Sequence, residues 1–139
     1  MGVELDDEDL ANLALFEDVT GATGRDCIRV DDRLLVVVAR GSMAEAIGPG
    51  GSTVERFEDR VGDPVRLVEH ADRPEDFVAN TLAPAAVYNV TISENDDTVA
   101  YVEVADEDRG VAIGTEGRTI EAARTLAERH FGIDDVQLT

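Results

Sequence analysis

The sequence has no tryptophan, one cysteine and few aromatics, and all 12 of its basic residues are arginine, so lysine is absent altogether. Without lysine there is no Walker-type phosphate-loop lysine and no Schiff-base chemistry, which excludes an ATPase. Cys27 alone cannot close an internal disulfide, and this fits a reducing compartment; in a strand it reads as a small buried hydrophobe. Apolar runs fall far short of the ~20 residues a membrane helix needs. Met1 to Asp9 is acidic and lacks an apolar segment, so no secretory leader is expected and the location expected is cytoplasmic. His70 and His130 have no companion cysteines, so no zinc site is expected. His130, near a helix C-terminus, reads as a dipole-complementing cap. Glu94-Asn95-Asp96-Asp97 lacks calcium-loop spacing and reads as a solvated turn. With no triad and no cofactor motif, an enzyme is not expected, and neither is any metal or cofactor.

What is present in excess is acid: 31 Asp and Glu against 12 Arg, a formal charge of −19. A nucleic-acid binder is ordinarily basic, because neutralising phosphates dominates its affinity. Either the partner is basic, or the chain works in molar salt, where charges are screened over ~3 Å. The acids are spread over both halves instead of forming one tail. That distribution favours the surface of a halophile, kept hydrated by its charge.

The chain is organised around a stretch that occurs twice, Ala46-Ile47-Gly48-Pro49-Gly50-Gly51-Ser52-Thr53-Val54-Glu55 and Ala112-Ile113-Gly114-Thr115-Glu116-Gly117-Arg118-Thr119-Ile120-Glu121, at an offset of 66 residues. Ala, Ile, both outer glycines, Thr and Glu coincide. The repeat divides the chain into two units, residues 1–70 and 71–139, each too small to bury more than a thin core.

Each unit predicts the order helix–strand–strand–helix–loop–helix–strand. In the first, residues 1–5 are loose, Asp6 or Asp7 caps a helix with an inner stripe of Leu10, Leu13 and Ala14, and Thr20 to Gly24 is a loop. Cys27–Val30 and Leu34–Ala39 are strands, the second nearly all apolar, as a central strand covered on one face would be. A short helix over Met43–Ile47 leads into the glycine loop. Ser52 and Glu55 form a capping box for a helix with a stripe of Val54, Phe57 and Val61. Gly62 is its left-handed cap, and Val65–Val68 closes the unit. His70–Arg73 is a short linker.

In the second unit Pro74, Glu75 and Asp76 open a helix with Phe77, Val78 and Leu82 inside. Ala86–Ile92 and Thr98–Val104 make a hairpin, and a short helix starts near Asp106. A longer helix over Arg118–His130 buries Ile120, Ala123, Ala127 and Phe131. Gly132 ends it, and Val136–Leu138 is the last strand.

Glycines let such a loop turn without a Cβ penalty and let another backbone come close. The loop sits at a helix N-terminus, whose N–H groups attract phosphate oxygens. Ile47 and Ile113 can floor a groove for unstacked bases. The KH fold handles single-stranded nucleic acid in this way, its loop clamping about four nucleotides. A tight helix–helix turn is the bland alternative; two copies in matched surroundings favour the clamp. The element order predicts an α+β fold class, two tandem type II KH domains, each α-β-β-α-α-β with a three-stranded sheet and its helices on one face.

The chain resembles the archaeal NusA-like proteins, small factors of two KH domains in tandem. The two loops carry the resemblance, with Phe77-Val78-Ala79-Asn80-Thr81-Leu82-Ala83-Pro84-Ala85 between the units and His130-Phe131-Gly132-Ile133-Asp134 near the end. The resemblance implies a rigid pair that binds single-stranded RNA and, by kinship with bacterial NusA, acts in transcription termination or antitermination. RNA polymerase is the further partner this kinship implies. The bacterial proteins also carry an N-terminal polymerase-binding domain and an OB-fold domain, which have no counterpart in the sequence. The RNA-binding positions it points to are Ile47, Gly48, Pro49, Gly50, Gly51, Ser52 and Arg56, with Ile113, Gly114, Thr115, Glu116, Gly117 and Arg118. The variable loop positions often hold Lys or Arg in this family; here they are Pro49-Gly50 and Thr115-Glu116. Glu116 would repel a phosphate, and Arg118 offsets it. A monomer is expected, with no membrane contact. The alternative reading is a protein-interaction module on RNA polymerase or the ribosome whose loops have lost RNA binding.

Overall fold

The computed structural model describes residues 3–139, so Met1 and Gly2 of the expected loose start lie outside the described residues. The chain divides into two compact units, Met1–His70 and Ala71–Thr139.

In the first unit the order is α1 (Asp7–Thr20), β1 (Gly24–Val30), β2 (Arg33–Val38), α2 (Met43–Ile47), α3 (Ser52–Val61) and β3 (Val65–Glu69). β2 is central, antiparallel to β1 and parallel to β3. Leu34, Val36 and Val38 point to the helices and pack with Phe16, Ala46, Cys27 and Phe57. Phe16 and Phe57 meet edge to face at 5.3 Å, a geometry worth about 0.5–1.5 kcal/mol beyond area burial. Cys27 is fully buried, as expected of a small hydrophobe.

Three expectations need correction here. The α1 stripe is not Leu10, Leu13 and Ala14. Phe16 and Thr20 are buried, Leu13 is partly buried, and Leu10 is 52% exposed. Burial of Phe16 sets the rotation of the helix, and Leu10 and Ala14 then lie roughly 120° and 160° round from it at 3.6 residues per turn. The second correction concerns β2. Leu35 and Val37 occupy the face away from the helices and are also fully buried, so the strand is covered on both faces. That explains its unbroken apolar run.

The third is the capping box, which does not form. The N-cap of α3 is Gly51 and there is no side-chain cap hydrogen bond. The turn Pro49–Gly51 runs straight into the helix, with the Ser52 N–H donating to the Pro49 carbonyl. Ser52 is thus already helical and cannot act as the flanking residue a box requires. Other ends follow expectation. Asp6 caps α1 by accepting from the Asp9 N–H at 2.8 Å, and Gly62 closes α3 at φ 79°. His70 donates its N–H to the Val38 carbonyl at 2.8 Å, so the expected linker begins as an extension of β3.

The second unit repeats the order with α4 (Pro74–Thr81), β4 (Val87–Glu94), β5 (Thr98–Val104), α5 (Arg109–Ile113), α6 (Arg118–Phe131) and β6 (Asp135–Leu138). β5 is central, antiparallel to β4 and parallel to β6. The expected strand over 86–92 runs instead over Val87–Glu94, with an irregularity in the register between Val87 and Asn89. Ala100, Val102 and Val104 face Val78, Leu82, Ala123 and Ala127. Gly132 caps α6 at φ 66° with its N–H on the Ala127 and Glu128 carbonyls. His130 stands in the last turn of α6, as expected, and its ring lies beside Phe77 at 5.2 Å. No helix among the described residues is long and apolar enough to cross a membrane.

Candidate nucleic-acid interface

The two glycine loops have one backbone conformation. Gly48 and Gly114 take φ 73°, ψ 173° and φ 81°, ψ 168°, a region open in practice only to glycine. A Cβ there would lie 2.6 Å from the Thr53 Cβ, or 2.8 Å from the Thr119 Cβ. The residue is threonine at both places, and each leans over the first glycine of its loop. The last glycines, Gly51 and Gly117, are left-handed at φ 80° and 74°. Each donates its N–H to the carbonyl of the first glycine, at 3.1 and 3.0 Å. A Cβ on either would meet nothing within 4 Å. The first glycine is thus a packing requirement of the fold, whereas the last faces open space.

The apex differs in chemistry but not in shape. Gly50 sits at φ 61°, ψ 20° and Glu116 at φ 57°, ψ 25°. Glu116 therefore holds a left-handed conformation costly for a residue with a Cβ. Among the described residues the amides of Gly50 and Glu116 have no protein acceptor, and both residues are exposed. Beside the loops Ile47 and Ile113 are 38% and 41% exposed, large apolar side chains left at the surface next to free donors. Pro49, Thr115 and Ser52 are exposed as well. Arg118 lies 3.9 Å from Glu116, and both side chains are largely solvated. Such a pair contributes about 0–1 kcal/mol and keeps the second apex close to neutral.

The expected residues fall into two sets, one around each loop, with one exception. Arg56 lies a turn down α3, lining a cleft of about 370 Å³ with Asp18, Val19, Asp59 and Arg60. Sequence reasoning missed Arg60, although its spacing of four from Arg56 and eight from Ser52 already marks one helix face. No group of three or more His, Cys, Asp or Glu among the described residues could hold a metal ion.

With this geometry established, the likeness to known proteins becomes specific. Residues 74–138 match the family described as NusA-like second KH domain. The chain is 60% identical over 138 residues to the "Probable transcription termination protein NusA" of Halococcus morrhuae, covering 99% of each. It is 58% identical to the protein of that name from Halobacterium salinarum, covering the whole of both. Among solved structures it is similar to the crystal structure of APE1850, at 27% identity and a TM-score of 0.86, over 97% of this chain and 100% of that one. The two curated relatives match the chain from end to end, so the chain belongs to the archaeal NusA-like family, and its acidic, lysine-free composition is that of a halophile's member.

Proposed function

We propose that the chain binds single-stranded RNA through both glycine loops, as a tandem pair of KH domains, and acts on nascent transcripts in termination or antitermination. One observation carries this reading. The two loops share a backbone that leaves an unsatisfied amide at each apex, at the start of a helix and beside an exposed isoleucine. Backbone donors at a helix start take a phosphate oxygen, and the isoleucine floors a base. Relatives named as transcription termination proteins support the cellular role. With few cations at the loops, affinity comes chiefly from these donors and from base stacking, at about 1–3 kcal/mol per stacked base.

The reading also takes the two units as a fixed pair on one strand, since a short connection gives the second cleft a high effective concentration beside RNA held by the first. The test replaces Pro49-Gly50, Thr115-Glu116, or both pairs with Asp-Asp. Wild type and the three variants are titrated with short and long unstructured RNA in molar KCl. Each single variant should weaken the long RNA, and the double variant should abolish its binding. A folded double variant that binds long RNA like wild type would reduce the loops to turns. The protein-interaction reading, favoured only by the carboxylate at Glu116, would then take over.

A further inference from the structure

The two loops superimpose in sequence and backbone, but the helices after them do not present the same face. In α3, Ser52, Arg56 and Arg60 stand at i, i+4 and i+8, all exposed. The equivalent positions of α6 are Arg118, Ala122 and Leu126, and the last two are buried at 2% and 0% exposure. The arginine stripe belongs to the first unit alone.

Charge pairing leaves the stripe free, as it does Arg25 and Arg40 among the described residues; what sets Arg56 and Arg60 apart is that they share one helix flank after the loop. Arg29, Arg73, Arg118 and Arg124 all hold carboxylates. In a chain with 31 acids and 12 arginines, any arginine has carboxylates to choose from. Yet neither Arg56 nor Arg60 forms an ion pair among the described residues, although Asp18 and Asp59 line the same cleft. Two guanidinium groups are thus held on one helix flank with their donors uncommitted. Four residues of helix rise about 6 Å, so Arg56 and Arg60 follow one another along one flank of α3, the helix that the first glycine loop opens.

We propose that Arg56 and Arg60 hold two successive phosphates of a single RNA strand whose neighbouring phosphate sits on the first glycine loop. The inference rests on the RNA reading above and deepens it. Guanidinium groups bind phosphate through paired N–H donors, which suits a strand passing along a helix. Asp18 and Asp59 keep the cleft from attracting anions indiscriminately, so only a phosphate already tethered at the loop is favoured there. The first unit then carries the salt-dependent part of binding, and the second contributes backbone donors and stacking.

The test compares wild type, the double variant Arg56→Gln/Arg60→Gln and the double variant Arg56→Lys/Arg60→Lys. The probes are oligouridylates of about four and about eight nucleotides, titrated across a range of KCl. Neither arginine holds an ion pair, so both variants should melt like wild type. For the longer probe, wild type should show a slope of log K against log salt near −1.4, at about −0.7 per phosphate on a single strand. The glutamine variant should bring that slope close to zero with a several-fold loss of affinity at the lowest salt, and the lysine variant should retain most of it. The four-nucleotide probe should change little. If wild type binds neither probe, the RNA reading fails and this inference with it. If wild type binds and the glutamine variant keeps both slope and affinity, the phosphate track alone is wrong, and the pair would be left for an acidic protein surface.

Discussion

Gly50 and Glu116 hold the same left-handed backbone, φ 61°, ψ 20° and φ 57°, ψ 25°, at equivalent points of the two loops. Only one of them is suited to it. For a residue with a Cβ this conformation costs roughly 1–2 kcal/mol, while glycine gives back part of that through the larger entropy of its unfolded chain. Glu116→Gly should therefore stabilise the protein by up to about 1 kcal/mol, a rise of ~2–4 °C in thermal midpoint for a chain of this size. The lost pair with Arg118 is too solvated to reverse the sign. Gly50→Glu should do the opposite. Thermal melts of both variants in molar KCl check the pair, and a lower midpoint for Glu116→Gly would mean the carboxylate is doing structural work not visible in its contacts.

The outer glycines should separate in the same assay. Alanine at Gly48 or Gly114 meets both a backbone region closed to it and the overhanging Thr53 or Thr119, at a cost of at least about 2 kcal/mol. Alanine at Gly51 or Gly117 meets open space, so it bears only the left-handed penalty of roughly 1 kcal/mol. Equal losses at the two positions would contradict this division between a glycine required by packing and one that leaves room for a ligand.

Much of this architecture was legible in the sequence because it rests on short-range rules. The 66-residue register placed Gly48 against Gly114, and the nearly unbroken apolar run of β2 placed that strand at its sheet centre. The elements around them followed from turn residues and stripes. What escaped depends on geometry that no window of residues contains. Ser52 and Glu55 have the spacing of a capping box, but the Pro49–Gly51 turn joins α3 without a gap, so the box has no flanking residue to use. Leu10 and Ala14 look internal until Phe16 fixes how α1 is rotated. Arg60 was legible in its spacing of four from Arg56, whereas its lack of an ion pair appears only when side chains are placed.

Asp135 supplies a test of pH dependence in the second unit. Its carboxylate accepts from the Gln137 amide at 2.9 Å and the Val136 N–H at 2.8 Å, and pairs with Arg124 at 3.0 Å. These interactions, Gln137 foremost, hold its pKa below the ordinary aspartate range. A carboxyl depressed on folding stabilises the protein above its unfolded pKa, and the contribution is lost as pH falls through the folded value. Wild type should exceed Asp135→Asn in stability near neutrality, and the gap should close below about pH 4. Denaturant titrations of both in molar KCl, where general repulsion is screened, isolate the group. A gap that persists unchanged in acid would assign the difference to packing and not to the charge.

The acidic surface gives the last expectation. The first unit carries 16 acids against 7 arginines and the second 15 against 5, so neither unit can be neutralised by its own cations. Exposed runs such as Asp106-Glu107 and Glu94-Asn95-Asp96-Asp97 crowd like charges into single turns. At ~0.1 M salt the Debye length is ~10 Å and repulsion reaches across a unit, while at ~1 M it falls to ~3 Å and even neighbouring carboxylates are shielded. Compaction is opposed in the first condition and not in the second. The thermal midpoint should accordingly rise from ~0.1 M to molar KCl and then level off once neighbouring charges are screened. Replacing Asp106 and Glu107 with Asn and Gln should raise the low-salt midpoint while leaving the molar-salt midpoint nearly unchanged, because neither side chain forms an ion pair among the described residues. If wild type melts at the same temperature in both salts, repulsion does not limit folding, and the acid excess must answer to a basic partner instead.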